Sequence, residues 1–472
     1  MPKVVKPLDI HNLLPQTNCK LCGESSCIAF ATKLANRQTS IEKCPHLFKP
    51  DFSDKLQKLM ELLAPPVKEV IIGVSDRAVK IGGKEVVYRH ELTWRNPTAI
   101  FIDIHDEMSD QDISARFNFV KNFKFVRMGV ELSIDGLAIR CVSGNPERYA
   151  KLVSKAVEEV GKPIALCCLE KEPLEEALII AGNVKPLIYA ATKDNWRDLA
   201  ELASKHKCPL AILSNGDMAL LKSLVKSVTE YYKVSELVLD PGTFAEEDVN
   251  VTLNNFVAAR LSAIDGGDKE LGYPLLGVPA ALWSLSSKNK DNVEFEESVL
   301  ASLLMSRFAD MLIMHTISPW AIIPVLTWRD CVYTDPRVPS SVKPGLYKVG
   351  SPNESSPLMV TANFTLTYYI VKDDIEKGGV DAWLLVIDTE GTSVQSAVAG
   401  GRFTADKVFE SMKAEDAFSK VSHKSIILPG YAAKISGELE SLLGDWKVYV
   451  GPRDSAEIPS FVKNVWLKDR AS

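Results

Sequence analysis

Short apolar runs alternate with amphipathic segments through the middle of the chain. From about Ala99 onward, the runs are AIFIDIH, LAIRCVS, PIALCCL, PLIYAAT, PLAILSN, ELVLDPG, PLLGVP and DMLIMH. Segments between them, such as PERYAKLVSKAVEEVG and NWRDLAELASKHK, repeat their apolar residues at helical spacing. Eight β–α units over roughly 220 residues are the signature of a (β/α)8 barrel. The pattern therefore predicts a multidomain α/β protein with a central TIM barrel over residues 58–324.

The stretch before the first run predicts a cover for the barrel floor. The sequence VIIGVSDRAVKIGGKEVVYRHELTW is typical of strands joined at Gly82–Gly83, in the manner of a hairpin. Barrel chemistry lies at the ends of strands, so polar residues that end the apolar runs are candidates for a site. They are Asp103, His105, Ser214, Asn215, Asp240 and His315.

Four of these candidates, in three segments, have a structural interpretation beside the functional one. The DPGT segment at Asp240 could hydrogen-bond the ring edge of a pterin, or it could be a strand-to-helix turn favoured by the aspartate. DIHDEM at 103–108 lacks the glycine of the D-x-H-x-x-G motif of cobalamin proteins, and it falls on a barrel strand, so we interpret it as a coincidence. His315 is typical of a histidine satisfied within the core.

The last third of the chain predicts a second, smaller α/β domain over residues 325–472. A segment rich in Pro, Gly and Ser, about 325–357, is typical of a linker. After it, LMVT, AWLLVID, SIILP and KVYV alternate with helical patterns, which indicates a compact, doubly wound, Rossmann-like (flavodoxin-like) parallel sheet. The loops TANFT, DTEGTSV, PGYAA and GPRD follow these strands, at the edge where such sheets bind ligands. No GxGxxG or Walker sequence is present, so a dinucleotide or nucleoside triphosphate is not indicated.

Four of the nine cysteines are concentrated near the front of the chain. Cys19, Cys22 and Cys27 follow C-x2-C-x4-C, and sixteen residues separate Cys27 from Cys44. This spacing favours a [4Fe-4S] cluster, with structural zinc and a disulfide pair as the alternatives. Residues 1–57 contain few core positions, so we expect this small domain to need its metal in order to fold. The other five cysteines lie in scattered, mostly apolar contexts.

Composition and charge narrow the classes of partner. The net charge is −6 with interspersed signs, which gives no basic stripe for nucleic acid and no polybasic patch for a membrane surface. No secretory leader and no run of about 18 apolar residues is apparent, so we expect a cytoplasmic protein. Proteins and small molecules are the expected partners.

Motifs at both ends of the chain resemble one family. The front motif is LLPQTNCKLCGESSCIAFATKLANRQTSIEKCPHL, and the motifs after the predicted barrel are DAWLLVIDTEGTSVQSAVAGGRFTADKV, ILPGYAAKISGELE and VGPRD. In this order they resemble the large (gamma) subunit of corrinoid iron-sulfur proteins of the acetyl-CoA decarbonylase/synthase system. The resemblance covers nearly the whole chain in the right order. It implies a front [4Fe-4S] domain, a barrel that packs on a smaller (delta-type) barrel subunit as a heterodimer, and a last domain that binds a base-off cobamide.

The resemblance also implies a function: a methyl carrier of the anaerobic, carbon-fixing reductive acetyl-CoA (Wood–Ljungdahl) pathway, and thus a corrinoid-dependent methyltransferase component. Cobalt(I) would take a methyl group from methyl-tetrahydrofolate or methyl-tetrahydromethanopterin, with help from a methyltransferase or the partner subunit. It would deliver the group to the nickel site of acetyl-CoA synthase/CO dehydrogenase, while the cluster reduces cobalt(II) after accidental oxidation. No acid or base residue is assigned, because the chemistry is at cobalt.

Two sets of residues carry over by matching positions. The cluster ligands are Cys19, Cys22, Cys27 and Cys44. The candidate cobamide contacts, chosen at strand ends, are Thr361, Asn363, Phe364, Thr389, Gly391, Ser393, Gly430, Tyr431 and Ala432. The one histidine of this segment, His423, precedes a strand and so lies at the wrong sheet edge to bind cobalt from below.

Two other functions fit parts of the pattern. A pterin-dependent methyltransferase would bind the pterin in its own barrel through Asp240. A reductive activator would use a cluster to reload another corrinoid protein and would carry no corrinoid itself.

Overall fold

The computed structural model describes residues 6–36, 38–244, 246–285 and 289–471. The chain forms two compact units. The first contains the described residues up to Phe125 and Leu132–Tyr333, and the second contains Val126–Glu131 and the described residues from Thr334 onward.

The first unit opens with three helices around a small apolar core. They are α1 (Pro7–Leu13), α2 (Cys27–Ala35) and α3 (Ser53–Leu63). Ile10, Phe30 and Leu59 are buried together with Cys27 and Cys44, so two of the four front cysteines are part of this core. Helix α3 crosses the predicted domain boundary at residue 57, because its later leucines pack on the front helices. The front segment therefore extends to the end of α3.

A hairpin closes one end of the barrel, as the sequence indicates, but its turn differs from the prediction. Strands β1 (Glu69–Ile72) and β2 (Val79–Gly82) pair antiparallel through a turn over 73–78. Gly82–Gly83 thus ends the second strand and does not join the two. Gly82 has φ +81°, and a Cβ there would lie 2.3 Å from the Lys68 carbonyl oxygen. The hairpin packs Val70, Ile72 and Ile81 into the barrel interior.

Eight parallel strands close into a barrel, one for each predicted apolar run. Its strands are β3 (Ala99–His105), β6 (Gly136–Arg140), β7 (Ile164–Cys167), β8 (Leu187–Ala191), β9 (Leu210–Leu213), β10 (Leu237–Asp240), β11 (Leu275–Gly277) and β12 (Ala309–Met314). Two short strands not predicted from the sequence, β4 (Lys124–Arg127) and β5 (Val130–Ser133), form a separate pair before β6.

Helices follow each barrel strand. They are α4 (Asp110–Asn122), α5 (Pro146–Glu159), α6 (Lys171–Ala181), α7 (Trp196–His206), α8 (Met218–Tyr232), α9 (Val249–Ile264), α10 (Leu282–Leu285), α11 (Lys290–Ser306) and α12 (Pro319–Tyr333). The predicted linker start at residue 325 is wrong, because it falls inside α12, where Val325 and Leu326 pack into the barrel core.

The second unit contains a five-stranded sheet in the order β13-β15-β14-β16-β17. The strands are β13 (Gly345–Val349), β14 (Leu358–Ala362), β15 (Ala382–Ile387), β16 (Ser425–Leu428) and β17 (Lys447–Val450). The four predicted strands are parallel, and β13, inside the predicted linker, adds an antiparallel edge. The helices are α13 (Thr365–Lys377), α14 (Val394–Ala399), α15 (Ala405–Ala414), α16 (Ser436–Leu443), α17 (Ile458–Phe461) and α18 (Leu467–Ala471).

Among the described residues, no helix has both the length and the apolar character needed to cross a bilayer.

A buried ion network lies inside the first unit. Lys84 Nζ contacts a carboxylate oxygen of Asp310, and Arg260 Nη2 lies 2.9 Å from the other oxygen. All three side chains are at most 1% exposed. Asp310 also accepts a hydrogen bond from the Leu275 backbone N–H at 2.9 Å, so its carboxylate bridges two strands. Burial of this kind makes each partner costly to remove.

Replacing Lys84 with Met should destabilise the barrel by about 3 kcal/mol, because the charge of Asp310 would lose one of two buried partners. Urea unfolding, followed by circular dichroism, measures this loss. Lys80→Met is the matched control, because Lys80 pairs with Glu69 at 3.3 Å on the surface, where such pairs contribute less than about 1 kcal/mol. Equal unfolding midpoints for Lys84→Met and wild type would contradict the stabilising role.

A second buried carboxyl ends strand β10. Asp240 is 1% exposed. Burial raises the pKa of Asp240 to about 6, although hydrogen bonds from the Tyr189 hydroxyl and the Gly242 N–H act in the opposite direction. The native state therefore binds this proton at a pH where the unfolded chain, with a carboxyl of ordinary pKa near 4, has released it. Protonated Asp240 therefore adds to the free energy of unfolding at low pH, and this contribution is lost as the pH rises from about 4 to about 6.

Asp240→Asn should remove this pH dependence, because an amide keeps the shape and does not ionise. Between pH 4 and pH 7.5, the free energy of unfolding of the variant should rise by about 2–3 kcal/mol relative to that of the wild type. Urea unfolding at several pH values measures it. Asp194→Asn, at an exposed position, should leave the wild-type pH profile unchanged, and a pH-independent difference for Asp240→Asn would refute the assignment.

Candidate functional site

The cysteine loop lies between α1 and α2 and returns at Cys44. Helix α2 begins at Cys27, and the preceding Ser26 accepts the Ala29 N–H at 3.2 Å as its N-cap. Asn18 Oδ1 accepts the Cys27 N–H at 2.8 Å, which ties the start of the loop to the start of the helix. The three thiols Cys22, Cys27 and Cys44 belong to one cluster of packed side chains, and Cys19 lies on its exposed side.

The loop backbone is suited to an anionic group. Alternate residues Gln16, Asn18 and Lys20 have φ values of 58°, 48° and 63°, and Gly23 follows at 84°. Left-handed residues at alternate positions turn backbone N–H groups toward a common side, and such arrangements bind anions and iron–sulfur clusters. Left-handed backbone is costly for side-chain-bearing residues, so a succession of them indicates a local function.

The pKa values of two of the thiols shift in opposite directions. Burial raises the pKa of the Cys44 thiol; the Leu47 and His46 N–H groups oppose the rise, and the nearby Cys22 and Cys19 sulfurs add to it. The Leu21 N–H lowers the pKa of the Cys19 thiol. Backbone N–H groups thus lie near two of the four sulfurs, as expected for thiolates that ligate a metal.

Across the described part of the chain, no three His, Cys, Asp or Glu side chains are already arranged to hold a metal ion. The three thiols of the loop and Cys44 on the returning segment therefore do not form a finished coordination shell. Their donor chemistry fits iron or zinc, and their ligand role stays a prediction.

The second candidate site is a cavity of ≈ 380 Å³ in the smaller unit. Strand β14 pairs with β15 on one side and β16 on the other, so the chain reverses its direction across the sheet at β14. Open α/β sheets bind ligands at such a switch point, outside the carboxyl ends of the strands. The cavity is lined by the carboxyl-end residues of β14 and β16, by one face of α13 and by the loop after β17.

Four of the nine predicted cobamide contacts line this cavity. They are Thr361, Phe364, Ser393 and Tyr431. Thr361 is 1% exposed, and its Oγ1 has no hydrogen-bond partner among the described residues. An unpartnered buried hydroxyl is unusual in a native protein and is explained if a ligand completes its hydrogen bonding.

Three other predicted contacts brace the loop after β15 behind the cavity. Asn363 Oδ1 accepts hydrogen bonds from the Thr389 N–H, the Thr389 hydroxyl and the Gly391 N–H, at 3.0, 2.8 and 3.0 Å. Asn363 Nδ2 donates to Asp388 at 3.1 Å. Because these polar atoms are already paired within the protein, Asn363, Thr389 and Gly391 position the site without lining it.

The last two predicted contacts, Gly430 and Ala432, lie in the loop after β16. Neither lines the cavity. A Cβ at Gly430 would lie 2.8 Å from the Gly451 carbonyl oxygen and from the backbone of Pro452 and Arg453. Gly430 therefore allows the loops after β16 and β17 to approach each other.

The sequence-based prediction missed the apolar floor of the cavity. Met359, Leu384 and Ile427 come from three neighbouring strands, and Phe461 and Val462 come from the C-terminal helical segment. The alternation of Met359 and Thr361 along β14 is a period-two signal for one sheet face, and it could have identified the strand residues. The contribution of 461–462 depends on how the end of the chain folds back.

His423 lies at the opposite strand ends from the cavity. It precedes β16 and is 9% exposed. Its Nε2 is 2.8 Å from the Ser356 carbonyl oxygen and its Nδ1 is 2.8 Å from Ser425 Oγ. Both ring nitrogens are therefore engaged locally, and the residue cannot reach a ligand in the cavity.

The barrel candidates form a closed polar network at the strand ends. His315 Nδ1 lies 2.6 Å from Asp103 Oδ1, and Arg140 Nη2 lies 2.8 Å from Asp103 Oδ2. Arg116 Nη2 is 2.9 Å from His315 Nε2. Burial acts to raise the pKa of Asp103, but His315 and the two guanidinium groups outweigh it, so that pKa lies below its usual value. His315 is thus a satisfied residue of the fold.

The remaining barrel candidates do not converge on one open site. Both carboxylate oxygens of Asp240 accept hydrogen bonds, one from the Tyr189 hydroxyl at 2.7 Å and the other from the Gly242 N–H at 2.8 Å. The bond from Gly242, two residues along the chain, is the one that the turn interpretation of DPGT requires. His105 ends β3, and its Nδ1 accepts the Glu107 N–H at 3.2 Å. Ser214 is 4% exposed with an unpartnered hydroxyl among the described residues, and Asn215 has φ 49° in the turn after β9.

Solved structures resemble the barrel only loosely. Dihydropteroate synthase from Thermus thermophilus aligns with 56% of this chain and 100% of its own, at 16% identity and a TM-score of 0.39. The enzyme from Xanthomonas albilineans in complex with 7,8-dihydropteroate aligns at 13% identity and a TM-score of 0.40, over 56% of this chain and 100% of its own. At these scores the likeness says nothing about a ligand of this chain.

Two family models match the sequence. The model described as "Putative Fe-S cluster" matches residues 14–46, which include all four front cysteines. The model described as "CO dehydrogenase/acetyl-CoA synthase delta subunit" matches residues 69–462, which include the barrel and most of the second unit. Together they cover both candidate sites.

Curated relatives match over nearly the full length. Subunit gamma of the acetyl-CoA decarbonylase/synthase complex of Methanothermobacter thermautotrophicus is 42% identical over 97% of this chain and 98% of its own. Subunit gamma of Methanosarcina acetivorans is 42% identical over 98% and 99%, and that of Methanopyrus kandleri is 43% identical over 98% of each. The chain therefore belongs to the acetyl-CoA decarbonylase/synthase complex subunit gamma family.

Proposed function

We propose that this protein is the methyl-carrying corrinoid subunit of an acetyl-CoA decarbonylase/synthase complex, with a [4Fe-4S] cluster at its front end and a base-off cobamide at its last domain. The observation that carries the proposal is the ligand cavity at the switch point of the second sheet, with an unpartnered Thr361 hydroxyl and, in the described part of that unit, no accessible histidine. Family membership and the four front thiols support the same function.

The cofactors would supply the reactive chemistry. When bound, the cobamide offers a cobalt(I) nucleophile for a methyl group from methyl-tetrahydrofolate or methyl-tetrahydromethanopterin, and the cluster offers the electron that restores that oxidation state. Cys19, Cys22, Cys27 and Cys44 would hold the cluster, with the loop backbone directing N–H groups at their sulfurs. No residue of the chain needs to act as an acid or base.

The chain's own residues would bind and orient the cobamide. A cavity of ≈ 380 Å³ is too small for a whole corrin macrocycle with its side chains, so the macrocycle would lie across the strand ends and a smaller appendage would enter the cavity. The apolar floor of Met359, Leu384 and Ile427 suits a flat base detached from the metal. Thr361 would then hydrogen-bond this buried appendage.

The absence of a nearby imidazole would serve the redox chemistry. A nitrogen donor below cobalt stabilises the higher oxidation states, as axial ligands tune other macrocycles. His423 is the only histidine of the sequence after residue 334, and its two ring nitrogens are bonded at the opposite strand ends. With no imidazole to bind cobalt, the described part of the second unit would therefore make cobalt(I) accessible at a less negative potential than histidine ligation would.

Proposed partners follow from family membership. They are a delta-type barrel subunit in a heterodimer, a methyl-tetrahydropterin methyltransferase, and the acetyl-CoA synthase/CO dehydrogenase component whose nickel site receives the methyl group. The alternative of a pterin site inside this barrel has less support, because both oxygens of Asp240 are engaged within the protein.

Anaerobic metal and corrinoid analysis of the purified chain tests the proposal. A carrier should contain about one corrinoid and about four irons per chain and should show base-off absorbance. It should pass methyl groups only after a methyltransferase or the partner subunit is added. Methyl transfer by the chain alone would favour the pterin-dependent methyltransferase, and a cluster without corrinoid would favour the reductive activator.

Cys27→Ala should abolish the iron–sulfur absorbance, because one of four thiolate ligands is lost. After oxidation to cobalt(II), the variant should not be returned to the active state by an iron–sulfur-dependent reductant, whereas pre-reduced variant should accept a methyl group normally. Electron paramagnetic resonance of cobalt(II) measures the recovery. Cys331→Ala, at an exposed cysteine outside the loop, is the control. Equal recovery of oxidised Cys27→Ala and oxidised wild type would remove the rescue role of the cluster.

Thr361→Val should weaken cobamide binding about tenfold, because a hydrogen bond to the ligand is lost while shape is kept. The same variant should leave the cofactor-free protein equally stable or slightly more stable, because an unpartnered buried hydroxyl is removed. Titration of the cofactor-free protein with cobamide, followed by absorbance, gives the affinity.

Thr389→Val is the matched control. The Thr389 hydroxyl lies 2.8 Å from Asn363 Oδ1 and 2.7 Å from the Thr392 carbonyl oxygen. Loss of this hydroxyl should therefore lower the free energy of unfolding of the cofactor-free protein by about 1–2 kcal/mol. Unchanged cobamide affinity in Thr361→Val would show that this hydroxyl does not contact the cofactor.

A further inference from the structure

Residues 455–471, the C-terminal segment, form one wall of the cavity in the second unit. Ile458, Phe461 and Val462 of this segment line the cavity. Val462 and Trp466 belong to the same apolar cluster as the three strand residues of the cavity floor. The wall and the floor therefore pack together, and a shift of the segment would change the shape of the cavity.

The front of the segment is held against α13. Ser455 Oγ donates a hydrogen bond to Asp374. A Cβ at Gly378, just after the helix, would lie 2.0 Å from Pro459 Cγ. Because the two backbones approach this closely, the front of the segment has little freedom to move.

The rear of the segment is held by Trp466, which is 1% exposed. Its indole N–H donates to Ser425 Oγ at 3.2 Å, and Ser425 is the first residue of β16. Ser425 Oγ lies 2.8 Å from His423 Nδ1, and His423 Nε2 lies 2.8 Å from the Ser356 carbonyl oxygen. The side chains of Trp466, Ser425 and His423 are called the Trp466 anchor below.

The direction of each hydrogen bond in the Trp466 anchor is fixed by its partners. An indole N–H can only donate, and a carbonyl oxygen can only accept. His423 Nε2 must therefore carry the proton that bonds Ser356, and Nδ1 of the neutral ring accepts the Ser425 hydroxyl. The Ser425 oxygen is then the acceptor for Trp466. Burial lowers the pKa of His423, and the charge of Arg470 acts in the same direction against the Ser356 carbonyl, which favours the neutral ring.

A π-helical turn joins the cavity wall to the anchor. It covers Val462–Trp466, and the Leu467 N–H bonds to the Val462 carbonyl oxygen. Such turns are rare, and they occur frequently at functional sites. Without the anchor, a return to α-helical pitch would turn Val462 relative to Trp466 and so alter the wall.

We propose that Trp466, Ser425 and His423 are positioning residues for the cavity: their hydrogen bonds hold the C-terminal segment in place as its wall, and thereby set how long the buried appendage of the cobamide stays bound. The identity of this ligand rests on the proposed function. None of the three residues lines the cavity, so their effect is transmitted by the segment. His423 thus acts from the opposite strand ends without contacting the ligand.

Trp466→Phe tests this role, because it removes the indole N–H and keeps an aromatic ring in the apolar cluster. The dissociation rate of cobamide from the full chain should rise about tenfold, since a buried hydrogen bond that holds the wall is lost. The association rate should change by less than about twofold, as is usual for variants of one site. Stopped-flow absorbance measures both rates. A wild-type dissociation rate would overturn the proposal.

Trp383→Phe is the matched control. Trp383 is a buried tryptophan of the same unit, and its indole N–H donates to the Asn353 carbonyl oxygen at 3.1 Å. It packs in a different apolar cluster and does not line the cavity. Both substitutions remove one indole hydrogen bond, so they should lower the unfolding midpoint in urea to a similar degree. Equally fast dissociation from both variants would overturn the proposal, because general destabilisation would then explain the effect.

Ser425→Ala breaks the Trp466 anchor from the strand side. It should raise the dissociation rate by a factor similar to that of Trp466→Phe. The double variant should dissociate no faster than the faster single variant, because both substitutions remove the same connection. Dissociation rates that multiply in the double variant would contradict a shared anchor.

Hydrogen–deuterium exchange of the cofactor-free full chain separates this proposal from the proposed function. Peptides that cover 455–466 should exchange faster in Trp466→Phe than in wild type or Trp383→Phe, because the wall opens more often. Unchanged exchange of these peptides would overturn the positioning role. If the exchange result holds but wild type binds no cobamide, the positioning role stands for the cavity and the proposed function fails.

Discussion

Parallel strand pairing is the constraint on which both large parts of the structure depend. Each parallel strand needs a crossover connection, and burial of its apolar faces fixes the strand inside the protein. The irregular segments that follow the strands are then gathered at one edge, where backbone and polar side chains are free to meet a ligand. In the barrel this edge is filled by the Asp103–His315–Arg116 network, whereas in the smaller sheet it opens into a cavity at β14 and β16. The same principle thus yields a closed edge in one unit and an open edge in the other.

The two candidate cofactor sites are built by different physical means. The cavity in the second unit is preformed, because its walls are strand ends and helices held by tertiary packing and by the Asn363 brace. The cysteine loop depends on its own backbone, with left-handed residues at alternate positions and two thiols inside a core of few side chains. A small core contributes little stability, so metal ligation would add a substantial part of it. We therefore expect the cavity to persist without its ligand and the loop to be more dependent on its metal.

The sequence by itself determined the eight barrel strands, the four parallel strands of the second sheet and the cysteine loop, because hydrophobic periodicity and ligand spacing are local properties of the chain. It could not determine the antiparallel edge strand 345–349, whose Pro- and Gly-rich surroundings resemble a linker, or the boundary at Tyr333, which depends on packing of Val325 and Leu326. It placed Thr361, Phe364, Ser393 and Tyr431 at the cavity but could not separate them from Asn363, Thr389 and Gly391, since all follow strands. Only tertiary structure decides which of two neighbouring side chains faces a ligand and which pairs with the next loop, because that choice depends on contacts between segments distant in sequence.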